Sequence, residues 1–242
     1  MADHLLPLAR QAAANKTVIA VGGAAAVLLL VAGDYLQWKS LGTGGTPPTI
    51  QGYGRMRKMG LWRFFYGDDL KDASPLSKEG PTYLDGPVPK REGGRAKGSR
   101  WTMPQRQIAE PITPEALERL ATLMHRLSAQ HPKLLSYGLS KTEGGTGHAI
   151  YANPDLPTVN PDAHKIRYEV AHVHPSENSL HVYASPADAR EVVEAEWGER
   201  FPVSWIAPAS WIMVYAPRNE EEVEVVERIV RAAVGWNTGV KV

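Results

Sequence analysis

Hydrophobic residues are spread unevenly along this chain, and their spacing changes twice. From Thr17 to Gly33 the run TVIAVGGAAAVLLLVAG carries no charge, with Lys16 before it and Asp34 after it. Such a run approaches the ~20 apolar residues that carry a helix across a bilayer core. It is expected to be a transmembrane helix, a single-pass membrane anchor within residues 1–40. A cleaved signal peptide shares the arrangement, but its apolar stretch is normally about 7–15 residues; a buried soluble helix is the third alternative.

Residues 41–104 read as a Gly/Pro-rich and basic-aromatic connecting arm, in which PVPKREGGRAKGSRW lacks either hydrophobic period. LGTGGTPPTIQGYG reads as a Gly/Pro-rich connector, and RMRKMGLWRFFYG sets Arg55, Arg57, Lys58 and Arg63 among Trp62, Phe64, Phe65 and Tyr66. That mixture suits a segment lying at a lipid interface, or a short helix packed on the domain with its charges in water. From Asp68 to Met103 the sequence is rich in Pro, Gly and charge and reads as an extended arm.

Regular patterning begins near Ile112, and residues 105–242 form the expected compact domain. Thr113-Pro114-Glu115 supplies an N-cap, a first-turn proline and an acid for a helix. Leu117, Leu120, Leu123, Met124 and Leu127 give it one buried face. Strands are expected around Leu134–Lys141 and His148–Ala152, separated by the turn EGGTG, and a Pro-rich loop runs from Asn153 to Asp162. A hairpin follows, then a helix opened by Ser185-Pro186-Ala187-Asp188 and closed at Gly198, and a buried strand from Trp211 to Tyr215. Asn219 and Glu222 cap a last helix with Val223, Val226, Ile229, Val230 and Ala233 on its apolar stripe. The order predicts an α+β fold, a largely antiparallel sheet with packed helices, preceded by the N-terminal transmembrane helix.

Composition narrows the chemistry. Apolar residues are 43% and charged residues 22% of the 242, as in an ordinary folded domain, while 22 Gly and 19 Pro match the irregular segments. A net charge of +1 gives no reason to expect nucleic acid as a partner. There are no cysteines, so thiolate nucleophiles and Cys-based metal sites are excluded and any metal must use His, Asp or Glu.

The hairpin YEVAHVHPSENSLHVYAS holds the candidate chemistry. In a strand His172 and His174 share one face, and in the returning strand His181 and Tyr183 share one. If the apolar rows bury against the same helices, the register that pairs His172 with His181 brings all three imidazoles together. The three histidines are candidate catalytic groups acting as bases, or ligands of a divalent metal with an open position. An exposed, solvated histidine face is the remaining alternative. Tyr183, Trp205, Trp211 and Tyr215, with Arg218 and His148, are candidates for the substrate pocket.

AHVHPSENSLHVYASPADAREVVEAEWGERFP and WIMVYAPRNEEEVEVVERIVRAAVGW resemble the C-terminal part of the fungal luciferases and the wider luciferase-like domain family. The similarity runs from about Gln105 to Trp236. It implies an oxygen-dependent enzyme acting on a 3-hydroxy-styrylpyrone of the 3-hydroxyhispidin type, with O2 as co-substrate and no organic cofactor. CO2 is lost in the reaction that it implies, and light comes from an excited product. Such a site needs a base for the 3-hydroxyl, which the histidines can supply, and a cation for the anion, for which Arg167 and Arg218 are the candidates. Arg167 would lie on the face opposite His172 in a regular strand. The expected partners are a small α-pyrone and the lipid bilayer, and the expected location is the endoplasmic reticulum membrane. A His-ligated metal-dependent enzyme such as a hydrolase, and a membrane-tethered binding module without catalysis, are the alternative readings.

Overall fold

A computed structural model describes residues 2–242, with side chains from residue 15 onward. The chain divides into two compact units, Met1–Ser40 and Leu41–Val242. The first is one helix, α1 (Ala2–Ser40), whose stretch Asn15–Ser40 is long and apolar enough to cross a membrane by length and composition. The second unit takes in the connecting segment as well as the sheet.

The second unit is an α+β fold around a six-stranded, wholly antiparallel open sheet. Its strands are β1 (Leu135–Leu139), β2 (His148–Ala152), β3 (Glu169–Val173), β4 (Leu180–Tyr183), β5 (Gly198–Glu199) and β6 (Trp211–Val214), in spatial order β1-β2-β3-β4-β6-β5. Helices α2 (Ile50–Tyr66), α3 (Pro114–Gln130), α4 (Pro186–Glu194) and α5 (Glu220–Thr238) complete it, with a 3-10 turn at Pro161–Ile166. α3 packs on β1 to β3, α5 on β2 to β4, and α4 on β5 and β6.

The caps read from the sequence are present. Thr113, Ser185 and Asn219 each accept a bond from the backbone N–H three residues on, satisfying a donor that the helix start leaves free. Leu120, Leu123 and Leu127 of α3 and Val226, Ile229 and Val230 of α5 meet Leu180 and Val182 of β4 and Ile212 and Val214 of β6 in one core. The alternate residues His181, Tyr183, Trp211 and Met213 occupy the other face of the sheet.

Two boundaries differ from the expected ones. α4 stops at Glu194 rather than Gly198, because Glu196 takes a left-handed conformation (φ 67°). Gly198 instead opens β5 and lies so close to the Met213 carbonyl that a side chain there has no room. The connector also turns helical earlier than expected: Thr49 caps α2, which absorbs the second half of the Gly/Pro-rich stretch and the basic-aromatic segment.

Candidate active site

β3 and β4 pair with His172 opposite His181, the register that the apolar rows demand. His172 Nε2 lies 3.1 Å from His174 Nε2, which lies 3.0 Å from His181 Nδ1. All three rings are buried, so the solvated-face alternative does not apply.

A bulge supplies what simple alternation does not. Opposite β2, Ala149 faces His172 and Ile150 faces Ala171, but Tyr151 faces Glu169, so β3 carries one extra residue at Val170. Val170 and Ala171 therefore both enter the core, and Glu169 changes sides to join the histidines. Glu169 is fully buried and accepts from Ser140 Oγ (2.8 Å), Thr142 Oγ1 (2.7 Å), Tyr151 Oη (3.0 Å) and the Lys141 backbone N–H (2.9 Å). These bonds fasten the turn after β1, which carries Glu143, to the hairpin.

Each imidazole uses its outer nitrogen on a neighbour. His172 Nδ1 donates to Glu169 Oε1 at 2.6 Å. His174 Nδ1 faces Ser179 Oγ at 2.7 Å and Glu177 Oε1 at 3.1 Å. His181 Nε2 donates to Gln105 Oε1 at 3.1 Å, while the Gln105 amide nitrogen donates to Glu199 and the Arg200 carbonyl, which fixes the amide's orientation. Glu143 Oε1 lies 3.4 Å from His172 Nε2 and 3.8 Å from His174 Nε2. Arg106, itself buried, pairs with Glu143 and has its Nε 3.7 Å from Glu177.

The electrostatics follow from burial and these partners. Burial raises the Glu143 carboxyl, but the bond with His172 and the charge of Arg106 outweigh it and hold the group far below the usual carboxylate range. Glu169 is likewise lifted by burial and pulled below its ordinary value by His172, Thr142 and Ser140. Burial disfavours imidazolium at all three rings. At His172 the bonds to Glu143 and Glu169 more than compensate and the pKa rises; at His174 and His181 it stays well below the ordinary histidine value. Glu177 is pushed up by burial to about 7, against the opposing charge of Arg106.

A cavity of ≈ 330 Å³ opens directly over this cluster. His172, His181 and Glu143 form its floor, Trp211, Phe201 and Met103 its apolar walls, and Lys141, Lys165 and Arg167 its cationic side. Trp211 lies parallel to the His181 ring, with centroids 5.6 Å apart and planes 10° from parallel. The size and the combination of apolar walls with convergent polar and charged groups suit a small, polar or anionic molecule.

A family model described as Luciferase domain matches residues 167–233. A luciferase from Armillaria mellea is 32% identical over 219 residues, covering 85% of this chain and 80% of that protein. The chain belongs to the fungal luciferase family. A luciferase from Armillaria ostoyae is 29% identical over 97% of this chain and 92% of its own length, and one from Neonothopanus nambi is 29% identical over 85% and 80%. No solved structure matches. Membership brings a luciferase-type enzymatic function on a small-molecule substrate. In this fungal luciferase homologue the stretch matched by the family model spans the histidine hairpin, whereas Glu143 and Arg106 lie outside it.

The luciferase-family fold gathers some of the expected pocket residues and disperses others. His172, His174, His181 and Trp211 converge. Tyr183 shares their face but sits beside Trp236, away from the cavity lining. Tyr215 is buried under Arg91 and bonded to Glu199, because the next strand position carries it past the cavity. Trp205 is 60% exposed and packs edge-on against Trp62. Arg218 is taken up by Glu222 and the Glu92 carbonyl, and His148 stacks on Tyr137 at the start of β2, where the sheet face is open. Arg167 does line the cavity: it precedes β3 in a left-handed conformation (φ 57°), so strand alternation does not govern it. Glu143, Glu169, Glu177, Gln105 and Arg106 are the site residues that sequence reasoning missed.

Proposed function

We propose that the chain is a luciferase-type oxygenase that takes a 3-hydroxy-styrylpyrone of the 3-hydroxyhispidin type into the cavity over His172 and His181. The observation that carries this reading is an aromatic-walled cavity with a cationic side and a floor of buried imidazole and carboxylate. A 3-hydroxypyrone reacts with O2 through its electron-rich enolate, so the hydroxyl proton must first leave. The histidine–carboxylate floor draws off that proton, Lys141 and Arg167 hold the resulting anion, and Trp211 and Phe201 sandwich the conjugated rings while excluding water. Both atoms of O2 enter the substrate, the lactone carbon departs as CO2, and a caffeylpyruvate-type acid remains. Light comes from the fraction of product born in an excited state.

In the same reading α1 anchors the chain in the endoplasmic reticulum membrane, supported by the apolar stretch Asn15–Ser40. The exposed Phe64, Phe65 and Tyr66 at the end of α2 lie in the headgroup region. Deleting residues 1–40 should then release the protein from membranes, and retention would shift the attachment to α2.

The test is purified protein with 3-hydroxyhispidin in air, with photons, oxygen uptake and CO2 recorded together and the His172→Ala protein run in parallel. Uptake and CO2 release that depend on His172 support the oxygenase, and accompanying light supports a luminous one. Absence of oxygen uptake from a folded wild-type protein sinks the pyrone reading.

A further inference from the structure

The three imidazoles present a problem that hydrogen bonding among them does not solve. His172 Nδ1 is committed to Glu169, His174 Nδ1 to Ser179 and Glu177, and His181 Nε2 to Gln105. With the outer nitrogens as donors, the three inner ones, His172 Nε2, His174 Nε2 and His181 Nδ1, carry bare lone pairs in the neutral rings. Those lone pairs face one another at 3.0 and 3.1 Å, and a Glu143 oxygen stands 3.4 Å from the first. One proton on His172 can bridge to one neighbour, which leaves the remaining inner nitrogen without a donor, while the Glu143 carboxylate beside it is held by Arg106. Three buried carboxyl groups, Glu143, Glu169 and Glu177, surround the imidazoles, and the Arg106 guanidinium pairs with the first and lies 3.7 Å from the last.

We propose that His172, His174, His181 and Glu143 are the ligands of a divalent first-row transition-metal ion. Their four donor atoms all lie within 4.8 Å of one another. Donors about 2.1 Å from a metal stand about 3.0 Å apart at right angles and about 3.4 Å apart at the tetrahedral angle. The two imidazole separations of 3.0 and 3.1 Å are close to right angles, the 3.4 Å from Glu143 Oε1 to His172 Nε2 matches the tetrahedral angle, and the 3.8 Å to His174 Nε2 is wider than either. His172, His181 and Glu143 border the cavity, so any position beyond these four ligands opens toward it. Mixed nitrogen and carboxylate ligands with open positions favour iron(II) or manganese(II) over a closed tetrahedral zinc site. Glu169, Gln105, Ser179 and Glu177 then act as the acceptors that orient ligand histidines and fix their tautomers.

The site stands on the cluster itself, whichever substrate the cavity takes. For the pyrone reaction it changes the role of the histidines: they hold a positive charge beside the hydroxyl instead of receiving its proton.

Full-length protein, purified in detergent with a histidine-free tag, is assayed for bound metal by elemental analysis. It is then stripped with a chelator and titrated anaerobically with iron(II), manganese(II) or zinc(II) alone. About one ion per chain is expected, with Tm rising by roughly 5–10 °C at one hundred times Kd. His174→Ala and Glu143→Gln should lose or weaken binding, Glu169→Gln should weaken it by about 10- to 100-fold, and His148→Ala, outside the cluster, should bind as wild type. Thermal unfolding of the stripped variants separates lost ligands from lost fold. No binding by the folded wild type, or equal binding by a folded His174→Ala protein, overturns the proposal. Metal-free protein that still consumes oxygen with the pyrone removes the metal and leaves the oxygenase, whereas metal-loaded protein that consumes none does the reverse.

Discussion

Arg106→Met tests whether one guanidinium keeps the buried acids of this site tolerable to the fold. The substitution retains most of the aliphatic stem and removes the charge. Arg106 is 2% exposed, pairs with Glu143, lies 3.7 Å from Glu177, and donates to the carbonyls of Gln105 (2.8 Å) and Leu41 (3.2 Å). Removing one partner of a buried ion pair leaves the other uncompensated and costs about 3–5 kcal/mol. At ~2–4 °C per kcal/mol for a chain of this size, Tm should fall by roughly 6–20 °C.

The loss should depend on pH in a definite direction. Burial already pushes Glu177 up to about 7 with Arg106 in place, and Arg106 also helps hold Glu143 down. Without that charge both folded-state values rise. Glu177, whose pKa is raised by folding, contributes stability at low pH and loses it as the pH climbs from its unfolded value through its folded one, whereas Glu143, held below its ordinary value partly by Arg106, contributes stability that is present at neutral pH and weakens there without that charge. The difference between wild type and variant should therefore be largest near about pH 8 and shrink toward about pH 5.5. Differential scanning fluorimetry of chelator-treated protein at both pH values reads this out. A deficit below ~1 kcal/mol, or one that is flat with pH, would refute the reasoning that these acids depend on Arg106.

Other consequences follow from the same geometry. Deleting Val170 closes the bulge while Glu169 stays opposite Tyr151 on the histidine face, so denaturant unfolding should show a loss of about 1.5–3 kcal/mol, the worth of one buried valine; an insoluble product would show that the bulge itself is required. Lys141→Ala and Arg167→Ala should each raise KM for an anionic substrate by about tenfold or more, the worth of one charge-assisted hydrogen bond, with Tm nearly unchanged; an unchanged KM would take them out of the site. Leu127→Ala, at a fully buried core position, should cost about 2–5 kcal/mol in denaturant unfolding while oxygen consumption of the folded fraction persists.

The elements legible in the sequence are those that carry a period. Helices α3 and α5 follow from stripes ending at a cap, and the His172–His181 register follows because a one-residue slip would expose Leu180 and Val182. Glu143 was not legible, since EGGTG reads as a turn and nothing in a turn sequence says that its acid folds inward. Gln105 and Arg106 lie in MPQRQ, which has neither period, and their backbone runs irregularly from the isolated bridge between Gly98 and Gln107. The dispersed residues failed for the complementary reason. Arg218 and Tyr215 are placed by chemistry that suits a pocket equally well, but nearer partners, Glu222 and Glu199, capture them.

One signal for the missing acids was nevertheless present. Glu169-x-x-His172-x-His174-x-x-Glu177 is symmetric about Val173, with an acid three residues outside each histidine. In a regular strand, positions three apart point to opposite faces, so the pattern carries no pairing by itself. It becomes a pairing because the ladder breaks on both sides: the Val170 bulge reverses the direction of Glu169, and the turn after His174 folds Glu177 back under its ring. A buried imidazole needs an acceptor for its outer N–H, and three within one hairpin need three. Two acceptors are local acids released by departures from strand geometry, and the third, Gln105, arrives from the irregular segment before α3. Burying the histidines therefore required the bulge, the turn and that segment together, which ties the family's hairpin to residues well outside it.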